Sequence, residues 1–229
     1  MKIWAVATAL LFAVCSLEAA DISGVIVIKR KLTKRNVTVS ASSYHRGVAV
    51  PLPTDGQIDP LGFERSRVAV YLDGPTAPKA TQAAMEQKGR RFLPDTLVVP
   101  VGSTVSFPNL DPIFHNVFSL SKAKSFDLGN YPRHATRTVT FTKPGIVYLH
   151  CHLHPNMAAS IVVTPNQWGT RSSPEGEFLL RDVPPGTHTV VAWHKSAGFF
   201  RQTVRVTEAS GAKIEFRIPL EEEAVAQTR

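Results

Sequence analysis

The sequence predicts an all-β protein, and three observations carry that expectation. The 229 residues include 14 glycines and 17 prolines, residues that punctuate a chain into turns. Valine and threonine are abundant, whereas long stretches of Ala, Leu, Glu or Lys are few, which disfavours a helical bundle. The composition, 43% apolar and 19% charged, fits a globular chain and lies outside the disordered and membrane classes.

Twelve segments carry the β-branched and aromatic enrichment of strands between Gly, Pro, Asn or Asp. They are Ile22 to Ile28, Arg67 to Leu72, Thr96 to Val99, Thr104 to Phe107, His115 to Ser119, Thr136 to Thr142, Ile146 to Cys151, Ser160 to Thr164, Phe178 to Arg181, Thr187 to His194, Gln202 to Val206 and Lys213 to Ile218. These are too many for one small sandwich. No helix-period segment separates them as a parallel sheet would require, so two antiparallel sandwiches are expected. Asp73-Gly74-Pro75-Thr76-Ala77-Pro78 reads as a linker-like break, and Thr164 through Pro174 as another. The segment between them is long enough for one compact domain. Ser40 to Gly62 reads as a long irregular loop, and Glu221 to Arg229 as a frayed, solvated tail. Asn36-Val37-Thr38 spells a glycosylation acceptor, a match that chance explains equally well.

Lys2, the apolar run Ile3 to Leu17 and the small residues Ala19 and Ala20 form the pattern of a secretory signal peptide over residues 1–20. That run is too short for a comfortable membrane span. A lipid-modified Cys15 is the alternative, but Val14 before it fits a lipobox poorly. An exported chain, periplasmic in a bacterium, is expected. It would then keep a single cysteine, Cys151, in a compartment where thiols normally pair. Such a thiol is buried and inert, paired to another chain, or protected by a metal. The formal net charge is +8; part of it lies in Lys29, Arg30, Lys31, Lys34 and Arg35. This balance would steer an acidic protein partner or an anionic lipid surface. Nucleic acid is not expected, because aromatics do not interleave the basic run.

The densest chemistry lies in Tyr148-Leu149-His150-Cys151-His152-Leu153-His154-Pro155-Asn156-Met157. Cys151, His154 and Met157 are spaced so that a chain turning tightly after a strand brings them to one side. His115 lies upstream, after Asn109-Leu110-Asp111-Pro112-Ile113-Phe114. One soft thiolate, two imidazoles and a weak thioether form the blue-copper electron-transfer set, which suits both Cu(I) and Cu(II). Structural zinc is the weaker alternative, since it prefers four firm N or S ligands. Singly, His115 reads as a satisfied strand histidine, Met157 as core and Asn116 as a turn cap; their joint spacing argues for the metal.

Cys151-x-x-His154-x-x-Met157 after Tyr148-Leu149-His150, with His115-Asn116-Val117 upstream, resembles the cupredoxins of amicyanin and plastocyanin type over Gln82 to Thr164. The resemblance implies a Greek-key β-sandwich over residues 79–166 and one type 1 copper held by His115, Cys151, His154 and Met157. It implies that Asn116 joins the two ligand loops, a role that fixes ligand geometry. It also implies that His154 reaches the surface within an apolar patch of Pro112, Ile113, Leu153 and Pro155, where electrons leave.

His150 and His152 make a His-Cys-His triplet that also resembles multicopper oxidases and copper nitrite reductases. A trinuclear site needs further paired histidines, and none of His45, His134, His188 or His194 forms a His-x-His pair. A second copper shared between subunits stays open. Alternation on a strand points His150 and His152 away from Cys151, which suggests surface or structural roles.

Gly176 to Thr187, with Val183-Pro184-Pro185-Gly186 before a strand, resembles the carboxypeptidase regulatory-like (transthyretin-like) β-sandwich. Ile22 to Ile28 and Arg67 to Leu72 resemble its opening strands. The resemblance implies a discontinuous sandwich, residues 21–78 with 167–220, into which the cupredoxin is inserted, leaving 221–229 as a tail. Trp193 and His194 read there as packing and surface residues, and His188 or His194 as an accessory metal ligand is a remote alternative. No His-Glu-x-x-His or Gly-x-Ser-x-Gly pattern supplies a peptidase. The expected function is single-electron transfer with an acidic redox partner, a cytochrome or dehydrogenase, rather than enzymic turnover. A copper carrier or store without redox cycling and a subunit of a copper reductase are the alternatives.

Overall fold

A computed structural model describes residues 19–32, 59–74, 78–207 and 210–219. The expected signal run, Cys15, Asn36-Val37-Thr38, most of the Ser40 to Gly62 loop and the tail lie outside the described residues. The protein is all-β. In chain order the elements are β1 (Ala20–Val27), α1 (Pro60–Arg65), β2 (Ala69–Asp73), β3 (Gln82–Ala84), β4 (Glu86–Gln87), β5 (Phe92–Leu93), β6 (Thr96–Pro100), β7 (Thr104–Pro108) and β8 (His115–Ser121). There follow β9 (Lys124–Tyr131), β10 (Thr136–Thr140), β11 (Gly145–His150), β12 (Ala158–Thr164), β13 (Gly169–Arg171), β14 (Glu177–Val183), β15 (Gly186–His194), β16 (Gly198–Val206) and β17 (Ala212–Arg217). No helix among the described residues is long and apolar enough to cross a membrane.

The sheets fall into two groups, each closed over its own buried cluster. In the first, β14-β1-β17 and β13-β2-β15-β16 enclose Ile22, Val70, Phe178, Val190 and Phe216. In the second, β10-β7-β3 and β6-β12-β11-β8-β9 enclose Val105, Phe107, Val117, Leu149 and Ile161, with β4-β5 at one end. Alternation decides which residues enter each core: on β11, Val147 and Leu149 are buried while Tyr148 is exposed. At Gly24 a Cβ would run into the Ile214 carbonyl and the Phe178 ring, so glycine lets β17 close on β1.

Three pairings depart from the antiparallel expectation: β1 with β17, β12 with β6, and β3 with β7 are parallel. Parallel neighbours need a long connection, and here strands of the facing sheet supply it in place of a helix. The stretch from Thr164 to Pro174, expected as a loose break, is tied down. Asn166 is buried and donates from Nδ2 to the Leu72 carbonyl at 3.0 Å, and β13 pairs with β2. The Ser40 to Gly62 loop also ends differently: α1 starts at Pro60, with the Asp59 carboxylate accepting from the Leu61 N–H at 2.9 Å.

The two groups meet along a seam. Ala69, Val162 and Trp193 are buried there with Tyr71, Val98 and Ile146 packed around them. Arg67 pairs with Asp95 at 2.8 Å, and the Lys195 ammonium lies 5.7 Å from the Tyr148 ring centroid. His194, expected at the surface, is fully buried beside this seam, because the Glu64 carboxylate of α1 accepts from its Nε2 at 3.1 Å. Trp193 is buried, as a packing residue should be.

Candidate metal centre

The site is built where two antiparallel strands end together. β11 pairs with β8, His150 opposite Phe118, so the first residue of β8 and the residue after β11 lie at the same end of the sheet. His115 opens β8; Cys151 follows β11; the loop from Cys151 to Met157 leads into β12. A hydrogen bond of 2.9 Å from the Met157 N–H to the His154 carbonyl tightens that loop and brings His154 back over Cys151.

The donors converge. His115 Nδ1 lies 3.1 Å from His154 Nδ1, and His154 Nδ1 lies 3.7 Å from Cys151 Sγ. One donor atom from each of the three residues lies within 4.8 Å of the others. Bonds of about 2.0 Å to nitrogen and 2.3 Å to sulfur, at trigonal angles, put nitrogens roughly 3.5 Å apart and nitrogen and sulfur roughly 3.7 Å apart. The three donors therefore frame a space of the right size for one ion. His115 and Cys151 are buried and His154 is half-buried. Met157 is buried at 1% exposure in the same apolar cluster as Cys151.

Neighbouring groups fix these donors. Asp111 accepts from His115 Nε2 at 2.8 Å, so that nitrogen carries the proton and Nδ1 keeps its lone pair for a ligand. Asp111 is held in turn by the N–H groups of Gly89 at 2.6 Å and Arg90 at 2.8 Å. Burial pushes its carboxyl up, but the Arg90 N–H, the His115 ring and the Gly89 N–H outweigh burial and leave it below the usual carboxylate range. Asn109 donates from Nδ2 to the carbonyls of Ile113 at 2.8 Å and Tyr131 at 3.2 Å, which shapes the loop before His115.

Asn116 bridges the two ligand segments. Its N–H points at Cys151 Sγ at 3.4 Å, and its Oδ1 accepts from the His152 N–H at 3.4 Å. Its Nδ2 donates to Asp127 at 2.6 Å. The Gly129 N–H, then Asn116 and His152, hold the Asp127 carboxyl below its ordinary value. Burial, helped by the charges of His115 and Arg90, pushes His154 below the usual histidine value.

His150 and His152 take no part in the converging set. His152 stacks on Phe118 with ring centroids 3.8 Å apart and pairs with Asp127 at 3.3 Å. His150 is half-buried beside Phe118, and burial with the nearby Lys195 charge lowers its pKa. Of the expected patch, Pro112, Leu153 and Pro155 are exposed and Ile113 is half-buried. Phe114, at 56% exposure, adds a large apolar surface that the sequence reading overlooked.

Asp111 was overlooked too. Its only sequence signal is its position four residues before His115, since the backbone groups that hold it come from residues 89 and 90. Asp127 carries no signal at all.

No protein-family model and no curated protein matches this chain. Among solved structures, it is similar to a Cu-containing nitrite reductase (NirK) from Thermus scotoductus SA-01, at 27% identity and TM-score 0.35. That likeness covers 40% of this chain and only 24% of the reductase, about a quarter of its length. The chain is also similar to a purple cupredoxin from Nitrosopumilus maritimus, at 22% identity and TM-score 0.33, covering 36% of this chain and 99% of that one. The Cu(I) form of an amicyanin variant is a third likeness, at 21% identity and TM-score 0.34, covering 41% of this chain and 97% of that one.

Proposed function

We propose that this chain is an exported type 1 copper protein of cupredoxin kind that passes single electrons to and from an acidic redox partner. The observation that carries the reading is the convergence of one donor atom each from His115, Cys151 and His154 within 4.8 Å, with His154 Nδ1 3.1 Å from His115 Nδ1 and 3.7 Å from Cys151 Sγ. His115, Cys151, His154 and Met157 would hold one copper ion, which when bound would supply a one-electron couple. The domain reading follows the same line: residues 79–166 form the copper domain, inserted into a sandwich of residues 21–78 and 167–220.

The chain's own part is to keep its donors still. Asp111 orients the His115 ring and fixes its tautomer. The Asn116 N–H donates toward the Cys151 sulfur and withdraws charge from it. Burial of His115, Cys151 and Met157 excludes water from three of the four donors. Half-buried His154, with exposed Phe114, Leu153 and Pro155 around it, leaves one ring near the surface for electron exchange. His152 is engaged by Phe118 and Asp127, which supports one ion per chain and a carrier rather than an enzyme.

Titration of the purified protein with Cu(II) tests the reading. An intense visible thiolate-to-copper absorption, saturating at one copper per chain and absent in Cys151→Ser, is expected. A colourless protein would refute the site, and two coppers per chain would favour the reductase alternative.

A further inference from the structure

We propose that the tip of the β4–β5 hairpin, Lys88-Gly89-Arg90-Arg91, is the element that docks the carboxylate-rich face of the partner protein. The proposal rests on the copper reading for its purpose, but the hairpin's own features point to it. Lys88 donates its N–H to the Arg91 carbonyl at 3.0 Å, and Gly89 and Arg90 both have positive φ, 62° and 56°. This is the backbone of a type I′ hairpin, in which both central residues are left-handed. Glycine, asparagine and aspartate take that conformation readily; arginine does so at a cost.

The backbone contacts of this turn do not call for an arginine. The Gly89 and Arg90 N–H groups grip Asp111, and a glycine at position 90 would donate equally well. Strain kept at a position where a cheaper residue fits points to a use for the side chain. Lys88, Arg90 and Arg91 are all exposed, and their side chains have no hydrogen bond or ion pair among the described residues. Elsewhere Arg65, Arg67, Arg201 and Arg217 each face a carboxylate.

Position completes the argument. The hairpin is pinned to the loop that carries His115, through Asp111 and through the Gln87 carbonyl, which accepts from the Leu110 N–H at 2.9 Å. The hairpin therefore lies beside the loop on which Pro112 and Phe114 are exposed, and the Arg90 charge is close enough to act on His154. Apolar surface rimmed by unpaired cations fits a protein face in which carboxylates surround an apolar centre. A docked carboxylate would therefore bind the side chain of Arg90, the residue whose own N–H holds the Asp111 that orients His115.

Nuclear magnetic resonance of the metal-free protein, titrated with an octaglutamate peptide at low salt, tests the surface without copper. The largest amide shifts should fall on Lys88 to Arg91 and fade with added salt. Arg90→Gly should melt at a higher temperature, because its backbone strain is relieved, yet bind several-fold more weakly. Lys88→Glu with Arg91→Glu should abolish the shifts. Shifts centred on Lys122 and Lys124 or on Arg201 and Arg205 would overturn the proposal, as would shifts at the hairpin produced by anionic phospholipid vesicles and not by the peptide.

The copper-loaded Cu(I) protein gives a second readout: it passes one electron to hexacyanoferrate(III), leaving Cu(II) and hexacyanoferrate(II). The double charge reversal should slow this at low salt by roughly tenfold, the scale on which charge steers encounter, and should not slow oxidation by the cationic tris(phenanthroline)cobalt(III). Equal slowing of both oxidants would overturn the docking role. A protein that takes up no copper defeats the reading above while the peptide titration still decides the hairpin; a blue protein whose hairpin ignores both anions defeats the hairpin alone.

Discussion

Each of the two sheet groups contains a buried histidine bonded to a carboxylate, and the two histidines end in opposite states. His194 gives Nε2 to Glu64 at 3.1 Å and accepts the Ser196 N–H on Nδ1 at 3.2 Å, so both ring nitrogens are spent. Glu64 is satisfied as well, its other oxygen accepting from the Leu32 N–H at 3.0 Å. His115 gives Nε2 to Asp111 at 2.8 Å, but its Nδ1 faces His154 and lies near Cys151. A buried carboxylate-bound imidazole is thus a structural staple where its second nitrogen meets a backbone donor. It becomes a ligand candidate where that nitrogen meets other soft or neutral donors.

The contrast can be broken from either side. The largest expected effect is at the thiolate: Cys151→Ser should abolish the visible absorption of the copper-loaded protein and leave the fold intact, as circular dichroism would check. Next, Glu64→Ala leaves the His194 Nε2–H and the Leu32 N–H without their acceptor in the core, and a buried donor left unpaired costs about 1–3 kcal/mol. Chemical denaturation should show that loss, while copper absorption stays unchanged. Asp111→Ala should do the reverse, weakening copper affinity about 10- to 100-fold by freeing the His115 ring, with a smaller loss of stability.

Acid gives a subtler effect. Burial holds His194 below its ordinary pKa, although the Glu64 charge opposes this. The unfolded chain takes up that proton near a pH of about 6.5 while the folded chain resists it. Stability is therefore full above that value and falls as pH drops through it, with His150 and His154 adding to the trend in the metal-free protein. Melting temperature against pH should show this decline, and His194→Gln should reduce its slope; an unchanged slope would remove His194 from the account. The smallest effect is expected at the exposed His152–Asp127 pair, where Asp127→Asn should change stability by no more than about 1 kcal/mol.

The candidate metal ligands were legible because thiol, thioether and imidazole side chains are uncommon and their spacing survives without knowledge of partners. Strand positions such as Ile146 to Cys151 were legible through the alternation that buries Val147 and Leu149. What periodicity does not encode is which strand pairs with which, so the parallel registers of β6 with β12 and β1 with β17 were missed. β9 escaped because its exposed face carries Ser125 and Asp127 and its backbone turns through Gly129 at φ 66°. Asp111, Glu64 and the Gly89-Arg90 grip were illegible for a common reason. Each acts across a gap in sequence, 130 residues between Glu64 and His194 and about twenty between the hairpin and Asp111. Residue identity alone does not announce such a partner.

Copper-edge X-ray absorption of the copper-loaded protein tests the central claim most directly, because it reads the atoms around the ion. One short sulfur and two imidazole nitrogens are expected, with the sulfur lost in Cys151→Ser and one imidazole lost in His115→Ala. A copper surrounded by oxygen and nitrogen alone, unaffected by either change, would contradict the account.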